Sequence, residues 1–177
     1  INDKVSEMLE SFLDRALTEK DRNAIEIAFK EKDSSFVHLG FRSLNLLNFY
    51  KNAGFTKTKG MDINELSVAV SNKLGESAET INLNSDSALD LKDCDMLVGY
   101  HVLECCSDPL KFLKRLYAAL TPGTKVHFEV TIEPGTPRVR YAHLFPFEKG
   151  DLQSFLSEAG FIPISQSNIP HPGGPEI

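Results

Sequence analysis

The segment 95–130 constrains the fold more than any other part of the chain, because it predicts two parallel strands joined by a helix. It opens with a short apolar run, Met96 to Tyr100, which is typical of a strand buried on both faces. A helix follows, for which Ser107 or Asp108 is a candidate cap, and Pro109 suits its first turn. Its apolar residues recur at helical spacing and predict one stripe packed on a sheet: Leu113, Leu116, Tyr117 and Leu120.

A stop signal and a second strand follow that helix. Thr121, Pro122 and Gly123 are residues that end helices. Apolar and polar side chains then alternate over 126–130, as they do in a strand. Because parallel strands need a long crossover, usually a helix, this order predicts that the two strands are parallel neighbours.

The rest of the chain repeats the alternation of strands and helices. Apolar residues at helical spacing predict an amphipathic helix over 3–17, and a second helix carries Ile25, Ala28 and Phe29. Further strands are predicted at 35–39, 57–63, 79–84 and 161–167, and further helices at 44–52, 65–74 and 149–159. The pattern predicts an α/β fold with a Rossmann-like, doubly wound and mostly parallel sheet. We divide the chain into N-terminal helices (1–31), this α/β domain (34–167) and an irregular tail (168–177).

Composition narrows the class of partner. The 177 residues, 41% of them hydrophobic and 12 of them Phe, suffice for one domain with a substantial core. No apolar run approaches the roughly 20 residues that span a bilayer, and no secretory signal is evident. A formal net charge of -6 without a basic cluster argues against nucleic acid or an anionic membrane, so we expect a small-molecule or protein partner. Three Cys residues form a poor disulfide framework and indicate a reducing cytoplasm.

In a doubly wound sheet, ligands bind outside the carboxyl ends of the strands, where neighbouring connections run in opposite directions. An acid after the second strand, Asp62, is well placed to accept hydrogen bonds from two ribose hydroxyls. Alternatively, Asp62 caps the helix that begins near Asn64, and the two uses are compatible. The positions that this rule selects are His38, Gly40, Asp62, Asp86, Tyr100, His101 and Glu133.

Several short motifs, taken in order, resemble the class I S-adenosylmethionine-dependent methyltransferases, in particular the group that acts on small molecules. Asp95-Met-Leu-Val is similar to the family's fourth strand, Tyr100-His-Val-Leu-Glu104 to the loop after it, and Leu120-Thr-Pro-Gly123 to the turn before the fifth strand. The late segment is similar as well, in His143-Leu-Phe145, Asp151-Leu152 and Ala159-Gly-Phe161. The resemblance covers roughly residues 36–167.

The resemblance implies S-adenosylmethionine as the cofactor and a set of residues that bind it. Gly60-Met-Asp62-Ile63 looks like the turn that binds the ribose, and Ser85-Asp86-Ser87 like the turn whose acid meets the adenine amino group. His38 and Gly40 match the loop after the first strand, and Tyr100 the end of the fourth strand.

The glycine loop departs from the family pattern. Family members usually carry an acid followed by three glycines at alternate positions, whereas this chain has His38-Leu-Gly40-Phe-Arg42-Ser-Leu44. Arg42 and Leu44 therefore put side chains where the methionine part of the cofactor would lie, unless the turn takes another path. The acid that helps hold the cofactor's amino group is missing, and a protonated His38 would repel that group.

Candidate catalytic residues follow from their places in this scheme. Methyl transfer requires the acceptor to be aligned with the methyl group, and a base helps when the acceptor carries a proton of high pKa. His101 and His143 are the histidines best placed to border the reacting atoms, with Tyr100 and Glu133 as second choices; each is alternatively an ordinary loop residue. His101, Cys105 and Cys106 lack the further ligands that a zinc site needs, so we predict no metal.

Two functions stay open on the sequence. The first is S-adenosylmethionine-dependent methyl transfer to a small-molecule acceptor. The acids at Asp62 and Asp86 favour this hypothesis, in which the chain is an enzyme. The second is a catalytically silent methyltransferase-like domain that serves as a binding or scaffolding module. The fold does not separate them, because function lies in the site.

Overall fold

The computed structural model describes residues 34–41, 47, 50, 51, 55–132, 143–164 and 166. Most of them belong to one compact unit that runs from Asp33 to Pro163. The N-terminal helices predicted over 1–31, the candidate Glu133 and the tail 168–177 lie outside the described residues. Of the helix predicted over 44–52, Leu47, Tyr50 and Lys51 are described and are helical.

Within the described residues, five parallel strands form a single sheet, which confirms the predicted fold class. Their order across the sheet is β3-β2-β1-β4-β5, so the first strand lies in the centre. The strands are β1 (Ser35–Leu39), β2 (Lys57–Asp62), β3 (Ala78–Thr80), β4 (Met96–Tyr100) and β5 (Lys125–Glu129). Because β2 and β4 flank β1 on opposite sides, the chain reverses its direction of winding between β1 and β4.

Besides the helical residues Leu47, Tyr50 and Lys51, the described helices between strands are α1 (Glu65–Lys73), the 3₁₀ helix Leu103–Cys105 and α2 (Pro109–Ala119), and α3 (Asp151–Ala159) follows β5. Of the two caps predicted for α2, Asp108 is the one used, since Lys111 N donates to its Oδ1 at 2.9 Å. No helix among the described residues has the length and apolar character needed to cross a membrane.

The larger part of the described core lies on one face of the sheet, and a smaller buried group lies on the other face, where Phe36 of β1 contacts Tyr50 and Phe55. Val37 and Leu39 of β1 point to the face of the larger part, where α2 contributes Phe112 and Leu113, both almost completely buried. The predicted stripe on α2 is correct at Leu113 and Leu116 but wrong at Tyr117, which is 49% exposed and packs edge-on against Phe161. The buried face of α2 includes Phe112, which the prediction left out, and Tyr117 lies at the edge of that face.

Two predicted strands differ from the structure. The strand predicted at 79–84 is shorter and earlier, β3, because the chain turns after it: Asn84 N donates to Asn82 Oδ1 at 2.9 Å. Residues 161–164, predicted as the start of a strand, form no strand; Phe161 N donates to Leu156 O at 2.9 Å, which continues the end of α3. Ile162 and Ile164 are about nine-tenths exposed, so no sheet neighbour covers their side chains among the described residues.

Candidate functional site

The carboxyl ends of the parallel strands meet at one edge of the sheet. Pairing of Leu39 with both Met61 and Gly99 brings the ends of β1, β2 and β4 side by side, and Tyr100 pairs with Glu129 of β5. This edge therefore carries the predicted residues His38, Gly40, Asp62, Tyr100 and His101. It includes the point between β1 and β4 at which the winding reverses, where ligands bind in such sheets.

Gly40 makes a tight turn directly after β1. Its φ of 70° lies in the left-handed region, and its N donates to Met61 O at 2.7 Å, which ties the turn to the end of β2. A Cβ at Gly40 would lie 3.2 Å from Val102 Cγ2, so a side chain would be crowded as well as strained. The one glycine that remains of the family's three thus keeps the backbone conformation that requires glycine. Arg42 and Leu44 lie outside the described residues.

His38, at the position of the family's acid, is fully buried on the sheet face opposite the larger part of the core. Its Nδ1 lies 3.0 Å from the Tyr50 hydroxyl, and the Tyr100 ring centroid is 5.6 Å away. Burial lowers the pKa of His38 to about 3 and raises that of Tyr50 well above its ordinary value. Both side chains are therefore neutral at physiological pH, and the repulsion that a protonated His38 would exert on an amino group does not arise. Nε2 of His38 has no hydrogen-bond partner among the described residues.

Asp62 ends β2 with a carboxylate that is 8% exposed. The N-cap of α1 is Asn64, whose Oδ1 accepts from Leu66 N and Ser67 N at 3.1 Å. Asp62 supports this turn in another way, since Asn64 N donates to its Oδ1 at 2.9 Å. Capping of α1 therefore does not account for Asp62. The neighbouring Ile63 is 65% exposed at the same edge.

Asp86 and Ser87 lie in the loop after β3. Asp86 Oδ1 is 2.8 Å from Lys111 Nζ on α2, and the hydrogen bond from Lys111 lowers the pKa of this exposed carboxyl. The hydroxyls of Ser87 and Ser85 are 3.1 Å apart. The structure thus brings the loop to α2 and leaves Asp86 in an ion pair with Lys111.

Asn84 anchors this loop, a role that the sequence analysis missed. Ser107 N donates to Asn84 Oδ1 at 2.7 Å, and Asn84 Nδ2 donates to Cys105 O at 3.2 Å. The loop after β3 is therefore fixed to the segment between β4 and α2. The sequence predicted Asn84 as the last residue of a strand, and its partners lie more than twenty residues away.

His101 lies between two carboxylates at the end of β4. Its Nδ1 is 3.4 Å from Glu104 Oε1, and its Nε2 is 3.3 Å from Glu129 Oε1. The backbone of His101 has a left-handed φ of 51°, and its N donates to Glu129 O at 2.9 Å. The hydrogen bonds to Glu104 and Glu129 raise the pKa of His101 to about 9, so the ring carries a proton at neutral pH. A protonated ring is poorly suited to act as a general base, although it can donate hydrogen bonds.

The two carboxylates were not among the predicted site residues. Glu129 occupies a polar position of β5, where the alternation indicated only a solvent-facing side chain. Glu104 is almost completely buried, and the sequence signal that could have singled it out is a lone charge among apolar residues and cysteines in the stretch 102–106. The second predicted catalytic residue, His143, is half-buried and precedes Leu144, whose N donates to Glu104 O at 2.6 Å.

We expect the charge of His101 to make stability depend on pH. The folded-state pKa of about 9 exceeds the ordinary value of 6.5, so the stabilisation is fully present below 6.5 and is lost as pH rises through about 9. His101→Gln should remove this part of the pH dependence. Urea unfolding of both proteins across that interval measures it, and parallel curves for the two would contradict the assignment.

An open groove of about 670 Å³ lies at the opposite edge of the sheet. It is lined by residues at the amino ends of the strands, including Ser35, Asp95 and Thr124. Their polar groups bond to one another or to nearby backbone: Ser35 N donates to Asp95 Oδ2 at 2.8 Å, and Thr124 Oγ1 to Cys94 O at 2.7 Å. The groove is thus separate from the predicted crevice. No group of three or more His, Cys, Asp or Glu side chains among the described residues is arranged to hold a metal ion.

A central β1 with a glycine turn at its end, beside an acid that ends β2, defines the Rossmann-like proteins that bind nucleoside-containing cofactors. A family model described as a methyltransferase domain matches residues 37–128, a little more than half of the chain. The chain therefore belongs to the methyltransferase domain family, which confirms the family resemblance. S-adenosylmethionine is the cofactor of this class.

Solved structures share the fold at low sequence identity. An S-adenosylmethionine-dependent methyltransferase from Mesorhizobium loti is 16% identical, with a TM-score of 0.57 over 75% of this chain and 78% of that one. A complex of the Haloferax volcanii Trm112 methyltransferase activator with a methyltransferase is 16% identical, with a TM-score of 0.58 over 72% of this chain and 61% of that one. The [4+2]-cyclase SpnF is 15% identical, with a TM-score of 0.61 over 82% of this chain and 59% of that one. A search of curated protein sequences found no match.

The described residues fit the nucleoside half of this cofactor better than its amino-acid half. On the nucleoside side, the Gly40 turn and the Asp62 carboxylate lie side by side, linked by the bond from Gly40 N to Met61 O. On the amino-acid side, the family's acid is replaced by His38, which is neutral and buried. An amino group there would meet a neutral acceptor at most, without the opposite charge of an acid.

Proposed function

We propose that this chain binds S-adenosylmethionine and transfers its methyl group to a small-molecule acceptor. The observation that supports this most is the Asp62 carboxylate, which ends β2 beside the Gly40 turn while Asn64 caps the following helix. A capping role for Asp62 would have been a sufficient alternative explanation. Asn64 holds that role, and Asp62 accepts the bond from Asn64 N, a use that is compatible with ribose recognition by an acid at this edge.

The remaining site residues divide between the two ends of the cofactor. In this proposal Asp62 accepts the ribose hydroxyls, exposed Ile63 covers one face of the adenine, and Asp86 with Ser87 meets the adenine edge. Asp86 would exchange its exposed ion pair with Lys111 for that contact, a small cost because exposed pairs contribute little. His38 and Tyr100 border the amino-acid end.

The bound sulfonium would supply a methyl group on a leaving group that is already activated. The chain's task is then to orient the acceptor and to exclude water. His101, held as a cation between Glu104 and Glu129, serves in this proposal to place a positive charge and a fixed ring edge beside the acceptor. His143 is the candidate base, and the bond from the N of its neighbour Leu144 to Glu104 O supports a place near the carboxyl end of β4.

A second function is favoured by one observation, the neutral His38 in place of an acid. A domain that no longer needs the methionine end of the cofactor could serve as a binding or scaffolding module with a protein partner. One protein of similar fold is named a cyclase, in line with the general rule that a fold hosts more than one chemistry. A pull-down that recovers no partner would count against this alternative.

Calorimetric titration with S-adenosylmethionine and S-adenosylhomocysteine tests the proposal directly. Binding of either ligand, with a matching rise in Tm, is expected. An absence of heat and of thermal stabilisation at millimolar ligand would overturn the proposal for this chain. S-adenosylhomocysteine is the more informative ligand for His38, because it lacks the sulfonium charge but keeps the amino group.

Asp62→Asn should weaken the affinity for S-adenosylhomocysteine by about tenfold or more, since hydrogen bonds to charged groups contribute roughly 1.5–3 kcal/mol. The amide keeps the size of the side chain and one acceptor oxygen. Asp93→Asn is the matched control, because this exposed acid lines the groove at the amino ends of the strands. Equal affinities of the two variants would remove Asp62 from the site.

We also assign the protein to the reducing cytoplasm. The three cysteines support this, because Cys94, Cys105 and Cys106 are all free. Burial raises the pKa of Cys94 to about 11 and that of Cys106 to about 12, so neither is poised for oxidation at neutral pH.

A further inference from the structure

Glu104 is a buried acid with an unusual number of bonds to distant parts of the chain. Its side chain, 2% exposed, lies in the 3₁₀ turn after β4. Oε1 accepts from Thr131 N at 2.7 Å and lies 3.4 Å from His101 Nδ1. Oε2 is buried and has no hydrogen-bond partner among the described residues. A single carboxylate oxygen thus joins the end of β4 to the residues after β5.

The main chain of Glu104 makes a second connection. Its carbonyl oxygen accepts from Leu144 N at 2.6 Å and from Phe145 N at 3.0 Å. The backbone on both sides of segment 132–143 therefore bonds to the same residue, on one side through the carboxylate and on the other through the carbonyl. Ile132 and Phe147, which follow Thr131 and Phe145 in the chain, also pair with each other through an isolated parallel β-bridge.

A buried carboxylate is a costly way to hold a loop. Its desolvation costs several kcal/mol, and the pairing with His101 offsets this only in part, because one oxygen has no partner. A leucine of similar size would fill the space at lower cost. The acid is better explained by what it orients. It bonds both to the His101 ring and to the backbone of Thr131, whose Oγ1 lies 3.2 Å from His101 Nδ1, while Glu129 holds the other ring nitrogen.

We propose that Glu104 is a positioning residue for the acceptor side of the site, where it sets the orientation of the His101 ring and the spacing between Thr131 and Leu144. The name acceptor side rests on the proposed function, which places the methyl acceptor beside His101. The physical claim, that one carboxylate orients His101 and both backbone flanks, holds independently of any ligand. Glu104 itself contacts neither cofactor nor acceptor.

Glu104→Gln tests the inference in the full chain, because it keeps the shape of the side chain and removes its charge. NMR titration should show the pKa of His101 falling from about 9 toward its ordinary value. Hydrogen exchange at the Thr131 amide should accelerate on the order of tenfold, since a bond to a charged acceptor is roughly twice as strong as a neutral one. Exchange at Leu144 should change less, because its acceptor is the backbone carbonyl.

Glu76→Gln is the matched control, a buried acid that pairs with Lys51 at 3.2 Å. It should leave the His101 titration and the Thr131 exchange unchanged. An unaltered His101 titration in Glu104→Gln would overturn the inference, since a purely structural side chain would leave that signature in place. Should Glu104→Gln fail to fold, Glu104→Asp is measured instead, because it keeps the charge but shortens the side chain: faster exchange at Thr131 together with a lower His101 pKa supports the inference, and no change in either overturns it.

The same samples separate this inference from the proposed function. S-adenosylhomocysteine affinity should agree within about threefold between wild type and Glu104→Gln, because the bonds of Glu104 go to His101, Thr131, Leu144 and Phe145, none of which the proposal places at the cofactor. Loss of all binding in the wild type would refute the proposed function. The NMR and exchange results would still decide the role of Glu104.

Discussion

Truncation of Phe41 to alanine is expected to lower the free energy of unfolding by about 3–5 kcal/mol, the usual cost of emptying a buried aromatic site. Phe41 is fully buried directly after the Gly40 turn. A Cβ at Gly60 would lie 2.6 Å from its Cδ1, so the ring rests on the bare backbone of β2. Thermal unfolding measures the effect, at roughly 2–4 °C per kcal/mol for a chain of this size.

A double-mutant cycle with Gly60→Ala tests the same contact from the other side. Alone, Gly60→Ala should cost about 1–3 kcal/mol, because the added methyl meets the Phe41 ring. In the Phe41→Ala background the ring is gone, and most of this cost should disappear. Strictly additive energies would show that the two residues do not constrain each other.

An exposed glycine, Gly75, provides the control for this double-mutant cycle. Gly75 has a left-handed φ of 85° and no atom near a built Cβ, and Asn tolerates that conformation. Gly75→Asn should therefore change stability little in either background. A loss as large as that of Gly60→Ala would indicate a general sensitivity to glycine replacement and would weaken the case for the Phe41 contact.

Replacement of Gly99 by alanine is the second large effect, with an expected cost of about 1–3 kcal/mol from overpacking. A Cβ there would lie 2.8 Å from both Phe128 Cε1 and Val102 Cγ1. Val102 also lies against Gly40, so its displacement would reach the turn after β1. Urea unfolding measures the stability, and a Gly99→Ala/Val102→Ala double variant should recover part of it.

Ligand binding gives the second readout for Gly99. If Val102 transmits the change to the Gly40 turn, the affinity for S-adenosylhomocysteine should fall in Gly99→Ala and recover in the double variant. A stable Gly99→Ala protein, or one that Val102→Ala does not rescue, would contradict the packing described here. These outcomes distinguish a local packing defect from a general loss of folding.

Tertiary contacts change the meaning of the eroded glycine loop. The loss of two glycines and an acid first indicated a damaged cofactor site, with a charge at His38 that would repel an amino group. Burial beside Tyr50 keeps His38 neutral, and Gly40 retains the left-handed turn. In the proposed cofactor site, the amino-acid end therefore lacks the negative charge of the family's acid, and His38 adds no positive charge in its place.

The sequence by itself predicted the parallel α/β sheet, the strands β1, β2, β4 and β5, and the edge that carries Gly40, Asp62 and Tyr100. Those predictions rest on local signals: apolar runs, caps and turn residues act over a few neighbouring positions. The prediction failed at β3, where side-chain bonds of Asn82 form a turn in place of the last strand residues. It also failed at residues 161–164, because a strand exists only where a neighbour pairs with it.

Only the tertiary structure decided the ionisation of the site. His38 and His101 look alike as loop or strand-end histidines, yet burial lowers the pKa of one to about 3 and two carboxylates raise that of the other to about 9. Glu104 and Glu129 approach His101 from different elements, and Tyr50 reaches His38 from a helix. A pKa depends on which groups lie within a few ångströms, and no local pattern in the sequence records that proximity.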